Sequence, residues 1–257
     1  MNEAELLFSQ ALGCQRPDLY INKNEYLGGK AGAFIASVLN RRIKGEPIQY
    51  ILGKTEFMGL EIKVNKDVLI PRPETEILVE TALEFARKEK PRRILDLGTG
   101  SGCIAVTLSK YLKGLEVDAS DISAEALEAA KENAALHGAR VNFIKSDLFS
   151  RLQYKEYGII ISNPPYIAQG QIKKLQPEVR FEPRIALDGG ADGLDFYRRI
   201  ILNAVNHLRE NGLLIMEIGF NQRNALEGIF NRPKLFKIEK VVKDYNDIER
   251  VIAARKA

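Results

Sequence analysis

The sequence predicts an α/β fold with a mostly parallel sheet behind a small N-terminal helical bundle. Three observations carry this. From residue 93 onward, short apolar runs alternate with helical patterns, as in a sheet covered on both faces. Two segments rich in Gly, Asp, Asn and Pro close such runs, Asp96-Leu97-Gly98-Thr99-Gly100-Ser101-Gly102 and Asn163-Pro164-Pro165-Tyr166. The first 50 residues, by contrast, carry helical periodicity.

Taken in order, residues 3–12 place Leu6, Leu7 and Leu12 on one helical face, and 31–43 place Phe34, Ile35, Val38, Leu39 and Ile43 at helical spacing. Gly28-Gly29 and Gly45-Glu46-Pro47 punctuate this bundle, which is too short for an independent core. Residues 55–64 alternate around Gly59 as a hairpin. The prolines of Leu69-Ile70-Pro71-Arg72-Pro73 enforce an extended linker, and Thr75 is placed to cap a helix over 76–88. Strands are then expected at 93–97, 116–120, 141–145, 158–162, 213–218, 235–242 and 248–253, with helices at 102–111, 124–137, 194–209 and 222–229. The resulting organisation is a bundle over 1–53, a hairpin and linker over 54–73, and a main domain over 74–257. In such sheets ligands bind at the carboxyl ends of the strands, where both motifs fall.

The chain of 257 residues is 45% hydrophobic and 28% charged, an ordinary globular composition. Its net charge of +4 is spread thinly. No lysine-rich arm marks a nucleic-acid footprint. No apolar run approaches membrane-spanning length, and the acidic N-terminus lacks a signal-peptide pattern, so the cytoplasm is the expected compartment. Cys14 and Cys103 are expected to be reduced, small core residues. His137 and His207 are read as isolated helix residues, and no cluster has metal-ligand spacing. Lys173-Lys174 and Arg198-Arg199 read as solvated faces, and 167–190 as a lid-like segment at an entrance.

The glycine turn lacks the Gly-Lys-Ser/Thr of a phosphate loop, and its Gly98, Gly100, Gly102 spacing departs from the dinucleotide pattern. Asp96 repels a pyrophosphate and attracts an ammonium, which favours S-adenosylmethionine over a nicotinamide dinucleotide. Thr99 and Ser101 complete the turn. Asp121, with Ile122 after it, closes the second main strand, where an acidic side chain accepts from ribose hydroxyls. Asp147 is placed to accept an exocyclic amine of a base, with Leu148 and Phe149 as walls.

At Asn163, the side-chain oxygen and the Pro164 carbonyl supply two acceptors, and proline adds no competing N–H. Pro165 stiffens the slot, and Tyr166 offers a flat face. The set suits methyl transfer to the –NH2 of an amide or a nucleobase. The slot alone therefore leaves glutamine, adenine N6 and guanine N2 acceptors open. A protein that only binds the donor fits poorly, because the nitrogen slot is intact.

These motifs resemble the HemK/PrmC glutamine N5-methyltransferases, which modify peptide-chain release factors. The likeness spans nearly the whole chain. It includes Pro47-Ile48-Gln49-Tyr50-Ile51-Leu52-Gly53, Leu69-Ile70-Pro71-Arg72-Pro73-Glu74-Thr75-Glu76, the glycine turn and Asn163-Pro164-Pro165-Tyr166-Ile167. It continues through Glu182-Pro183-Arg184-Ile185-Ala186-Leu187, Asp192-Gly193-Leu194 and Glu217-Ile218-Gly219. The resemblance implies a Rossmann-like class I methyltransferase sheet of seven strands, S-adenosylmethionine as donor, and the glutamine of a Gly-Gly-Gln motif as acceptor. It also implies that Arg72, Pro73, Glu74 and Thr75 border the acceptor site. Nucleic acid, membrane and metal are not expected partners. The chain departs from the family near its C-terminus, with Asn246-Asp247-Ile248-Glu249-Arg250 where Gly-Asp/Asn-Arg is common.

Overall fold

The computed structural model describes residues 3–21, 27–153, 156–231 and 235–257. Among the described residues, four helices form the N-terminal bundle: α1 (Glu3–Leu12), α2 (Arg16–Ile21), α3 (Gly29–Arg42) and α4 (Ile48–Leu52). Its core is small, with Leu7, Val38 and Ile48 buried against Phe34, Ile35, Ile51 and Leu52. The bundle leans on the rest of the chain. Arg42 bonds Glu3 within it and Glu178 outside it, and Tyr50 Oη donates to the Val68 carbonyl at 2.5 Å.

The hairpin pairs β1 (Lys54–Phe57) with β2 (Leu60–Lys63) in antiparallel register. Both turn residues, Met58 and Gly59, have positive φ, as a two-residue hairpin turn requires. The main domain follows as α5 (Pro73–Glu89), β3 (Arg93–Leu97), α6 (Cys103–Tyr111), β4 (Glu116–Asp121), α7 (Ala124–His137), β5 (Asn142–Lys145), β6 (Tyr157–Ser162), α8 (Asp195–Ala204), β7 (Leu208–Glu217), α9 (Arg223–Asn231), β8 (Phe236–Lys243) and β9 (Glu249–Lys256). The seven-stranded sheet has the order β5-β4-β3-β6-β7-β9-β8, and β9 runs antiparallel to both of its neighbours.

Alternation along the strands divides the core between the two faces. Ile94, Ile159, Ile161 and Ile215 pack with α5, α6 and α7. Leu95, Leu97, Ile160, Leu214 and Met216 pack with α8 and α9. Because β6 is covered on both sides, all six of its residues are buried. The strand order reverses between β3 and β6, where Leu97 and Ser162 are register partners and Ser162 Oγ donates to the Leu97 carbonyl at 2.8 Å. The glycine turn and Asn163 therefore emerge side by side.

Several expectations are corrected. Helix α5 begins at Pro73, with Arg72 as N-cap and no side-chain cap bond, so Thr75 lies inside the first turn rather than capping it. Proline suits that first position, since its missing N–H would be unpaired anyway. Helix α8 ends at Ala204 rather than near 209, because Leu208 and Arg209 already belong to β7. His207 therefore lies between elements, its ring stacked on Phe149. Cys103 is buried, but Cys14 is partly exposed. Arg198 and Arg199 do lie at the solvated surface, ion-paired with Asp192 and Asp195 and with Asp147 respectively.

Candidate active site

The cleft at the switch point opens to solvent. Gly98, Gly100, Asp121, Ile122, Asp147, Leu148, Asn163, Pro164 and Pro165 line it, with Asp67, Val68 and Leu69 of the linker and Pro183, Ile185 and Ala186 opposite. This roof is tied down by Glu182. Its carboxylate accepts from the Ile70 N–H at 3.2 Å and pairs with Arg72. Burial raises the Glu182 carboxyl above its ordinary value, against the pull of Arg72.

The donor end is mostly main chain. Gly98, Gly100 and Gly102 have φ of +72°, +55° and +80°, conformations that side chains resist. A Cβ at Gly98 or Gly100 would meet no protein atom within 4 Å, whereas one at Gly102 would lie 2.8 Å from Ala130 Cβ. The first two thus leave room for a ligand, and the third lets α6 pack on α7. Asp121 braces the turn, accepting from Gly100 N–H and Ser123 N–H at 2.9 Å each. Burial raises its carboxyl above the usual range. Beneath the turn, Asp96 is fully buried. One oxygen accepts from Thr99 Oγ1 at 2.6 Å, and the other has no protein partner. Burial pushes its carboxyl up to about 7. Ser101 and Thr99 are also buried. The open glycines and the lining carboxylate Asp121 fit an adenosyl amino acid, whereas Asp96, buried beneath the turn, is not on the cleft lining.

Asp147 lines the cleft, and both its oxygens accept from Arg199 Nη2 at 2.7 Å, which leaves further carboxylate lone pairs for an exocyclic amine. Phe149 is no wall of the cleft. It is buried in the core with its ring centroid 4.8 Å from that of His207. Leu148 does line the cleft, at φ +47°, a strained value of the kind found at ligand clamps.

The acceptor end is a set of side chains. Asn163 Nδ2 donates to Thr75 Oγ1 at 3.1 Å, and Thr75 Oγ1 donates to Glu217 Oε2 at 2.7 Å. Tyr166 Oη reaches Glu217 Oε1 at 3.4 Å, a long contact. The Tyr166 ring lies against Gly219 rather than on the lining, leaving Pro164 and Pro165 as apolar surfaces there. Gln222 holds this corner by donating to the Tyr166 carbonyl and accepting from Gly219 N–H, both at 2.9 Å. Glu217 is buried, and burial pushes its carboxyl up to about 7. In the sequence Glu217 stands out only as part of a family motif, and Gln222 not as a site residue; Glu217 ends β7, Gln222 directly precedes α9, and only the tertiary fold aims them. Glu74 keeps to the rim, 3.9 Å from Arg250. Among the described residues, no group of three or more His, Cys, Asp or Glu could hold a metal ion, and no helix is long and apolar enough to cross a membrane.

Fold and cleft together define a class I methyltransferase. A solved methyltransferase from Pyrococcus furiosus has the same fold, with a TM-score of 0.59 and 18% identity, covering 88% of this chain and 98% of that one. Residues 73–179 match the methyltransferase small domain, and residues 1–53 match the PrmC N-terminal domain. Among curated relatives, the release factor glutamine methyltransferase of Geobacter sulfurreducens is 44% identical over 254 residues, covering 98% of this chain and 88% of the relative. The enzyme of the same description from Thermodesulfovibrio yellowstonii is 41% identical over 261 residues, covering 100% and 93%. The chain belongs to the release factor glutamine methyltransferase family.

Proposed function

We propose that this chain methylates the side-chain amide nitrogen of the glutamine in the Gly-Gly-Gln motif of peptide-chain release factors, with S-adenosylmethionine as donor. The observation that carries the reading is the adjacency of Asn163 to the glycine turn across the β3–β6 pair, joined to family membership. Gly98, Gly100 and Asp121 would hold the donor, whose sulfonium supplies an electrophilic methyl group.

A carboxamide nitrogen is a poor nucleophile because its lone pair is delocalised into the carbonyl. The bond from Nδ2 to Thr75 turns the other end of the Asn163 carboxamide, Oδ1, away from Thr75. Oδ1 and the Pro164 carbonyl are then acceptors for the two N–H groups of the substrate amide. As the carbon–nitrogen bond forms and the methyl–sulfur bond breaks, with S-adenosylhomocysteine leaving, that nitrogen would gain positive character and both acceptors would strengthen. Stabilisation is thus greater in the transition state than in the ground state. Orienting the nitrogen also removes the entropic cost of finding the methyl group. The proton lost from nitrogen passes to solvent, so no strong general base is required before attack.

The test is mass spectrometry of a release factor incubated with this protein and S-adenosylmethionine. A gain of about 14 Da on the glutamine, with none on a DNA oligonucleotide, is the expected outcome. Methylated DNA and an unmodified release factor would instead support a nucleobase acceptor.

A further inference from the structure

We infer that Glu217, acting through Thr75, is a positioning residue that decides which end of the Asn163 carboxamide faces the acceptor. The inference rests on the reading of Asn163 as the group that holds the substrate amide.

Ser162 and Met216 are register partners in the β6–β7 pair, so the residues that follow them, Asn163 and Glu217, leave adjacent strand ends together. The first turn of α5 brings Thr75 between them. Above about pH 7 the Glu217 carboxyl is ionised and only accepts, and a hydroxyl has a single proton. Because Thr75 Oγ1 gives that proton to Glu217 Oε2, it is left with lone pairs toward Asn163. Only Nδ2 makes a favourable contact there, as found at 3.1 Å. In the flipped carboxamide, Oδ1 would oppose a lone pair, and Nδ2 would present donors to a substrate –NH2 that is itself a donor. The position of one hydroxyl proton thus separates a productive slot from a repelling one.

Glu217 is 2% exposed, and its oxygens face the hydroxyls of Thr75 and Tyr166. Arg250, the cation acting on it, bonds Asp244 at 2.8 Å. A packing role would be met by an apolar side chain without the desolvation cost of a carboxylate. The backbone is held as well, since Tyr197 Oη donates to the Glu217 carbonyl at 2.9 Å.

The experiment measures kcat, KM for a release factor and calorimetric donor affinity for wild type, Thr75→Val, Thr75→Ser and Glu217→Gln. Thr75→Val is expected to lower kcat about 10- to 100-fold through a misoriented carboxamide. Donor affinity should stay within about twofold, and Thr75→Ser should recover kcat to within about threefold. Glu217→Gln keeps shape but can donate as well as accept. It is expected to lower kcat by about 5- to 10-fold without weakening donor binding. The inference is overturned by unchanged kcat in Thr75→Val or Glu217→Gln, by a Thr75→Ser defect as deep as that of Thr75→Val, or by donor affinity falling in step with kcat. A wild type that leaves the release factor unmodified overturns the proposed function and this inference with it. An active wild type with indifferent variants overturns this inference alone.

Discussion

The donor half of the cleft is made of neighbouring main chain, whereas the acceptor half is made of side chains gathered from distant segments. The three glycines of the turn and the Asp121 that braces it lie within one β-α-β stretch, and the Gly100–Asp121 bond spans 21 residues. Asn163 and Thr75 are 88 residues apart, and Thr75 and Glu217 are 142 apart. The donor half thus follows from local conformational rules. The acceptor half depends on α5, β6 and β7 keeping register with one another. A slip of β7 against β6 would leave the glycine turn standing and dismantle the slot.

The largest effect expected from this contrast is on turnover. Asn163→Ala should lower kcat about 100- to 1,000-fold, the scale of losing one oriented transition-state hydrogen bond, with calorimetric donor affinity nearly unchanged. Equal loss of both would merge the two halves. Asp121→Ala is the converse. It removes a lining carboxylate and frees the Gly100 and Ser123 N–H groups, so titration should show donor affinity falling about 10- to 100-fold. Unaltered affinity would take Asp121 out of the donor half.

Gly102→Ala should cost about 2 kcal/mol in urea unfolding, from a Cβ forced against Ala130 and an unfavourable φ. An unaltered midpoint would show that α6 and α7 relax freely there.

A last contrast separates the halves by pH. In the unfolded chain, Asp96 and Glu217 titrate near about 4. In the folded, donor-free protein, burial pushes both up to about 7, with Thr99 and Asp121 facing Asp96, and Thr75, Tyr166, Glu74 and Arg250 facing Glu217. Between these values the folded chain holds protons that the unfolded chain has released. The contribution of both groups to stability therefore falls as pH rises from about 4 to about 7, and is level above that. Asp96→Asn should remove the donor half's share of this slope, and Glu217→Gln the acceptor half's. A slope untouched by either variant would assign it to other groups.

The fold was legible wherever a local pattern had a single structural solution. The strand at 93–97 and the helix at 124–137 agree with β3 and α7 at both ends, because apolar runs and a Ser123 cap mark them. The end of α8 was not legible, since Leu208 suits a helix face and a strand alike. Thr75 was misread for a related reason. Its residue type favours a cap, but a proline two residues earlier starts the helix at Pro73. Phe149 follows a strand near the cleft, yet the preceding left-handed Leu148 accompanies a path that carries the ring into the core beside His207.

From residue order alone come the alternation that makes the sheet, the glycines that shape the turn, and the Asn163 slot at a strand end. These rest on interactions between near neighbours, which the chain encodes continuously. The tertiary structure alone decided that Glu217 and Thr75 stand behind Asn163, that Glu182 ties down the roof, and that Arg199 engages Asp147. Each of these is a meeting of polar groups far apart in sequence. A hydrogen bond is set by positions good to a fraction of an ångström, which only the packed sheet and its helices supply.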